Sequence, residues 1–407
     1  MSKNNENKLV PKLRFPDFIQ DGNWESDSVQ NLISTIAPAK KLNSSEYFTK
    51  GKYPIVDQSQ DFYCGWTDDS DAVISNNLPL IIFGDHTCIL KLVHEPFAQG
   101  ADGIKIIKPK GALITEFLFQ HFNFNGVKQD GYKRHYSILK EKIVSYPNIK
   151  TGEQQKIAAC LSSLDEVITA ESQKLEVLKD HKKGLLQNLL PQAGETVPKF
   201  RFKEFEDSGE WVFDTFSEYI KLYRGSSPRP IQNYFTTDDT GVNWIKIGDT
   251  KNADNFIIKQ VEERITPEGA EKSRKVNVGE LILANSMSFG KTYQLAIEGY
   301  IYDGWFVLRE YEQYFDKQFL LQLLNSDYMQ THYKKLSAGG IVQNISSDIV
   351  YKTILPHTSI DEQKQIAASL TSLDEFISAQ SKKVEALQLH KKGLLQGLFP
   401  NVSPLSP

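Results

Sequence analysis

The stretch HKKGLLQNLLP at residues 181–191 returns as HKKGLLQGLFP at residues 390–400. The match extends upstream, because residues 153–191 and 362–400 agree at about 25 of 39 positions without a gap. A second repeat lies earlier in each half, as PKLRFPDF from Pro11 and PKFRFKEF from Pro198. Between the short repeat and the long shared segment of each half lies a block that differs between the halves, roughly residues 25–150 and 212–359. The chain therefore reads as a tandem duplication with diverged interiors.

The shared segments predict two long helices. Their apolar residues recur at alternating steps of four and three, which is the seam of a coiled coil. Pro147 and Pro356 precede the helices, and Pro191 and Pro400 close them, because proline cannot continue a helix interior. SIDE from Ser359 reads as a capping box. The seam residues are Ile157, Leu161, Leu164, Ile168, Leu175, Leu178, Leu185 and Leu189 in the first copy, and Ile366, Leu370, Leu373, Ile377, Val384, Leu387, Leu394 and Leu398 in the second.

Two seam positions in each copy are polar, namely Glu171 and Lys182, then Gln380 and Lys391. If the helices pack antiparallel, a single register pairs Glu171 with Lys391 and Lys182 with Gln380. A shift by one heptad would bury each charge against an aliphatic side chain, which is costly. We therefore predict the matched register. The alternative is that these side chains simply extend to solvent.

The two blocks predict mixed α/β domains of one fold. Short β-rich runs bounded by turn residues predict strands, KYPIVDQ, LPLIIFG, CILKLV and GIKIIKP in the first block and VNWIKIGD, GELILAN and YIYDGWFVL in the second. TEFLFQHFN and KQFLLQLLN predict matching helices, in which Phe117 and Gln120 correspond to Phe319 and Gln322. The predicted fold class is α+β, with two such domains separated by two long antiparallel coiled-coil helices in a pseudo-twofold tandem repeat.

Composition limits the class of protein. The 407 residues carry a net charge of −4, which counts against an autonomous nucleic-acid binder, since such proteins usually have a basic surplus. No apolar run is long enough to span a membrane, and the first residues lack the core of a signal peptide. Three scattered cysteines without a CxxC pair predict a reducing cytoplasm, and no Cys/His cluster has metal-ligand spacing.

Motifs for catalysis are missing. The chain has no Pro-Pro dipeptide and no Gly-x-Gly, so it lacks the base-holding and cofactor motifs of an amino-methyltransferase. NSMSFGKT ends like a P-loop, but Asn285 stands where the first glycine belongs. GDHTC places Asp85, His86 and Cys88 together, and the cysteine and histidine could form a nucleophile pair. A strand followed by a turn is the simpler interpretation. The sequence predicts a binding protein without a metal site.

Polar and basic loops of the variable blocks are the candidate DNA-binding sites. Arg, Lys, Asn and Gln read base edges, while Ser suits phosphates. The first block ends with KQDGYKRHYS, and the second contains YRGSSPRP, NSMSFGK and SAGGIVQN. The alternative is that these loops are polar only because loops are exposed. The candidates are Lys128, Tyr132, Lys133, Arg134, His135 and His86, followed by Arg224, Ser226, Ser227, Arg229, Ser286, Lys291, Gln343 and Asn344.

The duplicated pattern EQxxIAxxLxSLDExIxAxSxKxExLxxHKKGLLQxLxP resembles the specificity subunit of type I restriction-modification systems. The resemblance covers nearly the whole length, and PKLRFPDF…W, PKFRFKEF…W, GDHTCILKLVHEPFAQGADGIKI and SAGGIVQNIS fit it too. It implies two target-recognition domains, each followed by a spacer helix. The implied segments are a first domain at 1–150, its helix at 151–191, a second domain at 192–359, its helix at 360–400 and a tail at 401–407.

The resemblance further implies a non-catalytic, cytoplasmic subunit that recognises DNA. Each domain would read one half of a bipartite asymmetric site on double-stranded DNA. The helices would dock two copies of the methyltransferase (M) subunit, and restriction (R) subunits would join them. Methyl transfer and cleavage would belong to those partners with S-adenosylmethionine, ATP and Mg, and this chain would hold no cofactor. The alternative is a non-catalytic coiled-coil scaffold that binds only protein partners.

Overall fold

The computed structural model describes residues 9–101, 103–148, 151–192, 194–286, 290–336 and 345–400. By its internal contacts the chain divides into two compact units. Unit 1 comprises Met1–Glu171 with Lys383–Pro407, and unit 2 comprises Ser172–Lys382. Both boundaries fall inside the long helices, so each unit contains a segment of both helices.

The secondary structure of unit 1 begins with short strands and ends in a long helix. The strands are β1 (Glu25–Ser28), β2 (Ile33–Ile36), β3 (Tyr53–Val56), β4 (Gly65–Thr67), β5 (Val73–Ile74), β6 (Leu80–Gly84), β7 (Leu90–Val93), β8 (Phe97–Gln99), β9 (Ile104–Pro109) and β10 (Ile143–Tyr146). The helices are α1 (Val29–Leu32), α2 (Thr115–Asn125), α3 (Tyr136–Glu141) and α4 (Glu153–Leu189), of which residues 153–171 belong to unit 1.

Unit 2 repeats this order with a few additions. Its strands are β11 (Val212–Thr215), β12 (Lys221–Arg224), β13 (Val242–Ile245), β14 (Ile257–Ile258), β15 (Glu263–Ile265), β16 (Arg274–Val276), β17 (Leu281–Ala284), β18 (Thr292–Leu295), β19 (Gly299–Ile301), β20 (Trp305–Arg309) and β21 (Ile354–His357). Its helices are α5 (Phe216–Tyr219), α6 (Pro267–Glu271), α7 (Lys317–Asn325), α8 (Asp327–Leu336), α9 (Ser347–Tyr351) and α10 (Ile360–Leu398), of which residues 360–382 belong to unit 2.

The two units have the same sheet topology. Unit 1 has sheets of order β2-β9-β6-β7 and β4-β3-β8-β5 and a ribbon of β1 with β10. Unit 2 has β12-β20-β17-β18, extended by β14, then β15-β13-β19-β16 and a ribbon of β11 with β21. In both units one pair in the middle of the second sheet is parallel, β3 with β8 and β13 with β19. The unlike sequence blocks therefore share one fold, as predicted, except that YIYDGWFVL forms two strands rather than one.

The long helices begin and end where the sequence predicts. The hydroxyl of Ser359 accepts a hydrogen bond from the amide of Glu362 at 3.3 Å, which is one half of the predicted capping box. The carboxylate of Glu362 is engaged instead by Arg201, which donates to its two oxygens at 2.7 Å each. Pro191 and Pro400 follow the last helical turns of α4 and α10.

Within each unit the helix segments run antiparallel and contribute to the largest apolar core. In unit 1, Ile157 and Leu161 of α4 share a buried cluster with Leu395 and Leu398 of α10. In unit 2 the corresponding cluster joins Leu189 of α4 to the residues Ile366, Ala367 and Leu370 of α10. The predicted seam thus packs into the cores of the domains as well as along the helix pair.

The predicted register is wrong by about one heptad. In unit 2, Lys182 Nζ lies 2.6 Å and 2.8 Å from the carboxylate oxygens of Asp374, where the prediction had Gln380. In unit 1, Lys391 Nζ lies 2.5 Å from Asp165 Oδ1, where the prediction had Glu171.

Carboxylates beside the seam explain this register. Glu171 pairs with Lys383, whose Nζ lies 2.5 Å from Oε1. Asp165 follows the seam residue Leu164, and Asp374 occupies the same place in the second copy. A lysine at the seam packs its apolar stem against the partner helix and brings its ammonium to such an edge carboxylate. The prediction compared seam positions only and therefore overlooked these partners.

The short repeats that precede each domain are anchored on the helices. Arg14 Nε and Nη2 donate to the carboxylate of Glu153 at 2.9 and 2.7 Å, which is the counterpart of the Arg201 pair in unit 2. The amide of Leu13 donates to Gly397 O at 2.8 Å, and the amide of Phe200 donates to Asn188 O at 2.9 Å. The repeated sequence is therefore explained, since it forms the same contacts with the helices in both units, including a buried arginine–glutamate pair.

Candidate nucleic-acid interface

In unit 1, the candidate residues lie on the turn between β6 and β7 and on the loop before α3. The ring of Tyr132 stacks on His86, with centroids 4.8 Å apart and planes inclined by 9°. His86 Nδ1 lies 3.2 Å from the carbonyl oxygen of Lys133, which holds the two segments together. Tyr132 is 88% exposed, so one face of the aromatic pair is open to a ligand.

Exposed cations accompany this stack. Lys133 Nζ forms a surface ion pair with Asp130 at 2.6 Å, whereas Lys128 and Arg134 have no ion-pair partner within the described part of the chain. Exposed ion pairs of this kind contribute little to stability. We refer to His86, Lys128, Tyr132, Lys133 and Arg134 as the first cationic patch.

The predicted DNA contact of His135 is wrong, because this side chain is completely buried. Its Nδ1 lies 3.1 Å from the carbonyl oxygen of Asp85, and its Nε2 accepts a hydrogen bond from the amide of Asp130 at 3.2 Å. The buried ring of His135 therefore fixes the loop before α3 by bonding to the backbone on both of its sides. Sequence alone could not separate it from its exposed neighbours, since all are polar residues of one loop.

The trio in GDHTC has no arrangement for catalysis. The ring of His86 is engaged by Tyr132 and by the carbonyl of Lys133. Burial and the nearby carboxylate of Asp85 raise the pKa of the Cys88 thiol, which disfavours the nucleophilic thiolate. These residues form a strand and turn that support the first cationic patch.

In unit 2, two candidate arginines meet at the turn between β19 and β20. Arg224 Nε donates to the carbonyl oxygen of Asp303 at 3.2 Å, and Arg229 Nη2 lies 3.4 Å from its carboxylate. Asn285 Nδ2 donates to the same carbonyl at 2.7 Å. Arg229 is 83% exposed, so most of its guanidinium remains available. We refer to Arg224, Arg229, Asn285 and Asp303 as the second cationic patch.

A close backbone approach shapes this second patch. Gly225 follows β12, and a Cβ atom there would lie 1.9 Å from the carbonyl oxygen of Tyr302. Only glycine fits such a position. The amide of Ser226 donates to Ile301 O at 3.1 Å, so the segment that carries both arginines is held against β19. Ser226 is exposed and Ser227 is half-buried.

The remaining candidates of unit 2 are either partly buried or outside the described residues. Lys291 lies over the ring of Phe256, donates to Asn325 O at 3.5 Å, and has its pKa lowered mainly by burial. Its ammonium is thus directed to the C-terminal end of α7. Ser286 is half-buried, and the predicted contacts of Gln343 and Asn344 lie outside the described residues.

Comparison with known proteins shows what the chain resembles. Residues 210–389 match the family model described as the type I restriction modification DNA specificity domain. The specificity subunit of the type I restriction enzyme MjaVIII from Methanocaldococcus jannaschii is 25% identical over 425 residues, which cover 96% of this chain and 94% of that protein. Residues 210–389 therefore contain a DNA specificity domain of that family, and the chain is similar to type I restriction-modification specificity subunits over nearly its whole length.

Solved structures share the fold of this chain. The type I restriction-modification S subunit from M. genitalium matches over 97% of this chain and 100% of its own, with a TM-score of 0.61 and 14% identity. A second chain, from a structure concerned with complex assembly and conformational transition of the type I system, matches over 93% and 98%, with a TM-score of 0.52 and 14% identity. The predicted fold class is confirmed.

The chain also has cations beside aromatic rings that inspection of single loops missed. Lys272 lies 4.9 Å from the ring centroid of Tyr234, and the guanidinium of Arg274 lies 5.6 Å from that of Tyr223. Cations next to aromatic rings suit both phosphates and bases. Each pair joins residues far apart in sequence, so no local signal marks it.

None of the helices in the described part of the chain combines the length and the apolar character that crossing a bilayer requires.

Proposed function

We propose that this specificity subunit performs no chemistry itself and recognises a bipartite, asymmetric site on double-stranded DNA, one half with each domain. One observation carries the proposal. The two units share a sheet topology and equivalent arginine–glutamate contacts, yet unit 1 exposes the Tyr132–His86 stack where unit 2 exposes Arg229 beside Asp303. A duplicated scaffold with two different cationic surfaces suits the reading of two different half-sites.

The chemistry of the two patches supports different half-sites. The first cationic patch offers a stacked aromatic pair beside Arg134, while the second offers two arginines at Asp303, whose carbonyl is also held by the buried amide of Asn285. Arginine can contact the guanine edge in two places at once, and cations fix the duplex by its phosphates. The net charge of −4 implies that such contacts are few and local.

The exposed surface of the helices supports the docking of two methyltransferase subunits. Several residues are identical in the two copies although they are exposed in both. They are Glu166 and Glu375, His181 and His390, and Gln187 and Gln396. Packing within this chain does not explain identical exposed residues, whereas one partner bound twice requires two equal faces.

The catalytic steps then belong to the partners. Methyltransferase subunits would supply methyl transfer from S-adenosylmethionine, and restriction subunits would cleave with ATP and Mg. The site of action would be the cytoplasm, where the DNA is. The helices, about 55 Å long at about 1.5 Å per residue, would act as the spacer between half-sites.

A domain exchange tests the proposal. Residues 25–150 are replaced by the corresponding block of another family member, and methylation by the reconstituted complex is mapped. One half of the recognised site is expected to change while the other half and the methylated base type persist. Loss of both halves would show that the domains are not independent readers. Unchanged specificity would favour a scaffold that binds only protein.

A further inference from the structure

One carboxylate in unit 1 joins the recognition domain to both helix segments. Gln120 of α2 is 1% exposed, and its Nε2 donates to Asp165 Oδ2 of α4 at 2.8 Å. The other oxygen, Oδ1, accepts from Lys391 Nζ of α10 at 2.5 Å. The amide of Gln120 is therefore buried in an otherwise apolar junction between domain and helices, and it reaches a carboxylate that is 37% exposed at the edge of that junction.

Unit 2 repeats the contact with a different domain. Gln322 of α7 is 6% exposed, and its Nε2 donates to Asp374 Oδ2 of α10 at 2.8 Å. Lys182 Nζ of α4 lies 2.6 Å from Oδ1 of the same carboxylate. We call each set of three residues a Gln–Asp–Lys node. Because the domains differ elsewhere, the shared node indicates a constraint that is separate from the half-site being read.

The node fixes an orientation that apolar packing leaves adjustable. Burial of apolar surface is non-directional, so it tolerates a small rotation of α2 or α7 against the helices. A hydrogen bond to a carboxylate is directional and weakens steeply when misaligned. A rotation would also leave a buried amide without a partner, which is costly.

We infer that Gln120 and Gln322 are positioning residues that fix the angle of each recognition domain on its own helix segments, and thereby the gap between half-sites that the subunit accepts. The inference rests on the proposed function, because a gap exists only when two half-sites are read. Neither glutamine contacts DNA in this role, and each acts through its aspartate.

Gln322→Met tests the inference, since methionine is similar in length but cannot donate to Asp374. The variant is reconstituted with its methyltransferase partner, and methylation is measured on duplexes with unchanged half-sites and a gap that is native, one base pair shorter or one longer. The ratio of methylation at the native gap to methylation at the altered gaps is expected to fall about fivefold, the equivalent of one hydrogen bond. The half-sites that are read remain unchanged.

Gln318→Met is the matched control, because it is the same substitution in the same helix. It removes a 2.8 Å hydrogen bond to Gln294 of β18, within the domain. Its gap ratio is expected to stay at the wild-type value. Gln120→Met is expected to lower the ratio as Gln322→Met does. If the latter fails to fold, Gln322→Asn, which keeps the amide but shortens its reach, carries the same expectation.

The outcomes of these experiments distinguish a failure of the inference from a failure of the proposed function. A fall in methylation by the same factor at every gap, together with a lower melting temperature, would reduce the node to a structural role and overturn the inference. Wild-type complex that methylates without any dependence on a second half-site would overturn the proposed function instead, before any variant is compared.

Discussion

Lys182 Nζ lies 2.6 Å from Asp374 Oδ1, and the two side chains are only 15% and 9% exposed. The pair crosses from α4 to α10 within unit 2. Its counterpart, Lys391 with Asp165, crosses in the same sense within unit 1. A lysine from each copy of the repeat thus pairs with the aspartate of the other copy.

Loss of this pair should destabilise unit 2 strongly. Lys182→Met leaves the carboxylate of Asp374 largely buried without its cation, and we expect the free energy of unfolding to fall by about 3 kcal/mol. Lys183→Met is the control, because Lys183 and Asp327 are 61% and 59% exposed. That pair should contribute less than about 1 kcal/mol. Amide hydrogen exchange in α7 and α10 measures both, and equal losses would contradict the distinction.

The arginine of the short repeat should not be replaceable by lysine. Arg201 donates through Nε and Nη2 to Glu362, and Nη1 donates to Gly209 O at 2.6 Å. Lysine cannot make this forked contact. We expect Arg201→Lys to lower the free energy of unfolding by about 2 kcal/mol. Lys199→Ala, at an exposed position nearby, should stay within about 0.5 kcal/mol of wild type in urea denaturation. If Arg201→Lys leaves the free energy of unfolding unchanged, the forked contact with Glu362 does not stabilise unit 2.

Unit 1 should lose stability in mild acid through His121. This ring packs edge-on against Phe399, and burial lowers its pKa to about 3. The folded state keeps the ring neutral while the unfolded chain binds a proton below about pH 6.5, so the free energy of unfolding falls as the pH drops from about 6.5 toward 3. The loss between pH 7 and pH 5 should be about 2 kcal/mol for this group.

His121→Gln should remove that pH dependence. The amide of Ser145 donates to His121 Nε2 at 3.2 Å, and a glutamine oxygen offers an acceptor that does not titrate. Urea denaturation at both pH values should show a smaller difference for the variant than for wild type, whatever the absolute stabilities. The same difference in both proteins would exclude His121 as the cause.

Arg134 should contact a phosphate. Its side chain is exposed, whereas the neighbouring Lys133 is paired with Asp130. In complex with the methyltransferase partner, Arg134→Ala should weaken DNA binding and reduce the slope of log affinity against log salt by about one. Lys133→Ala should also weaken binding. If Arg134→Ala instead relaxes one base position at an unchanged slope, Arg134 reads a base.

The architecture could be predicted from sequence because the repeats carry it. The seam residues and the closing prolines recur at an offset of 209 positions, and Gln120 corresponds to Gln322 at an offset of 202 within the matching helices. The sequence could not give the register of α4 against α10, nor the contacts between the domains and the helices. Gln120 bonds to Asp165 because of how α2 lies on α4, and no sequence periodicity encodes that contact.

Individual site residues were less predictable than the loops that carry them. His135 and Arg134 are neighbours in one polar loop, yet the first is buried and the second exposed. Lys291 resembled a surface lysine, but it extends over Phe256 toward the end of α7. Composition marks a loop as polar, whereas the direction of each side chain depends on tertiary packing.

Methylome sequencing of cells that contain the methyltransferase partner, with and without this chain, tests most directly whether the chain specifies a bipartite site. We predict a methylated motif of two separated half-sites that is present with the chain and disappears without it. In cells whose chain carries the exchanged block 25–150, one half of that motif should change. An identical methylation pattern with and without the chain would contradict its assignment as the subunit that recognises DNA.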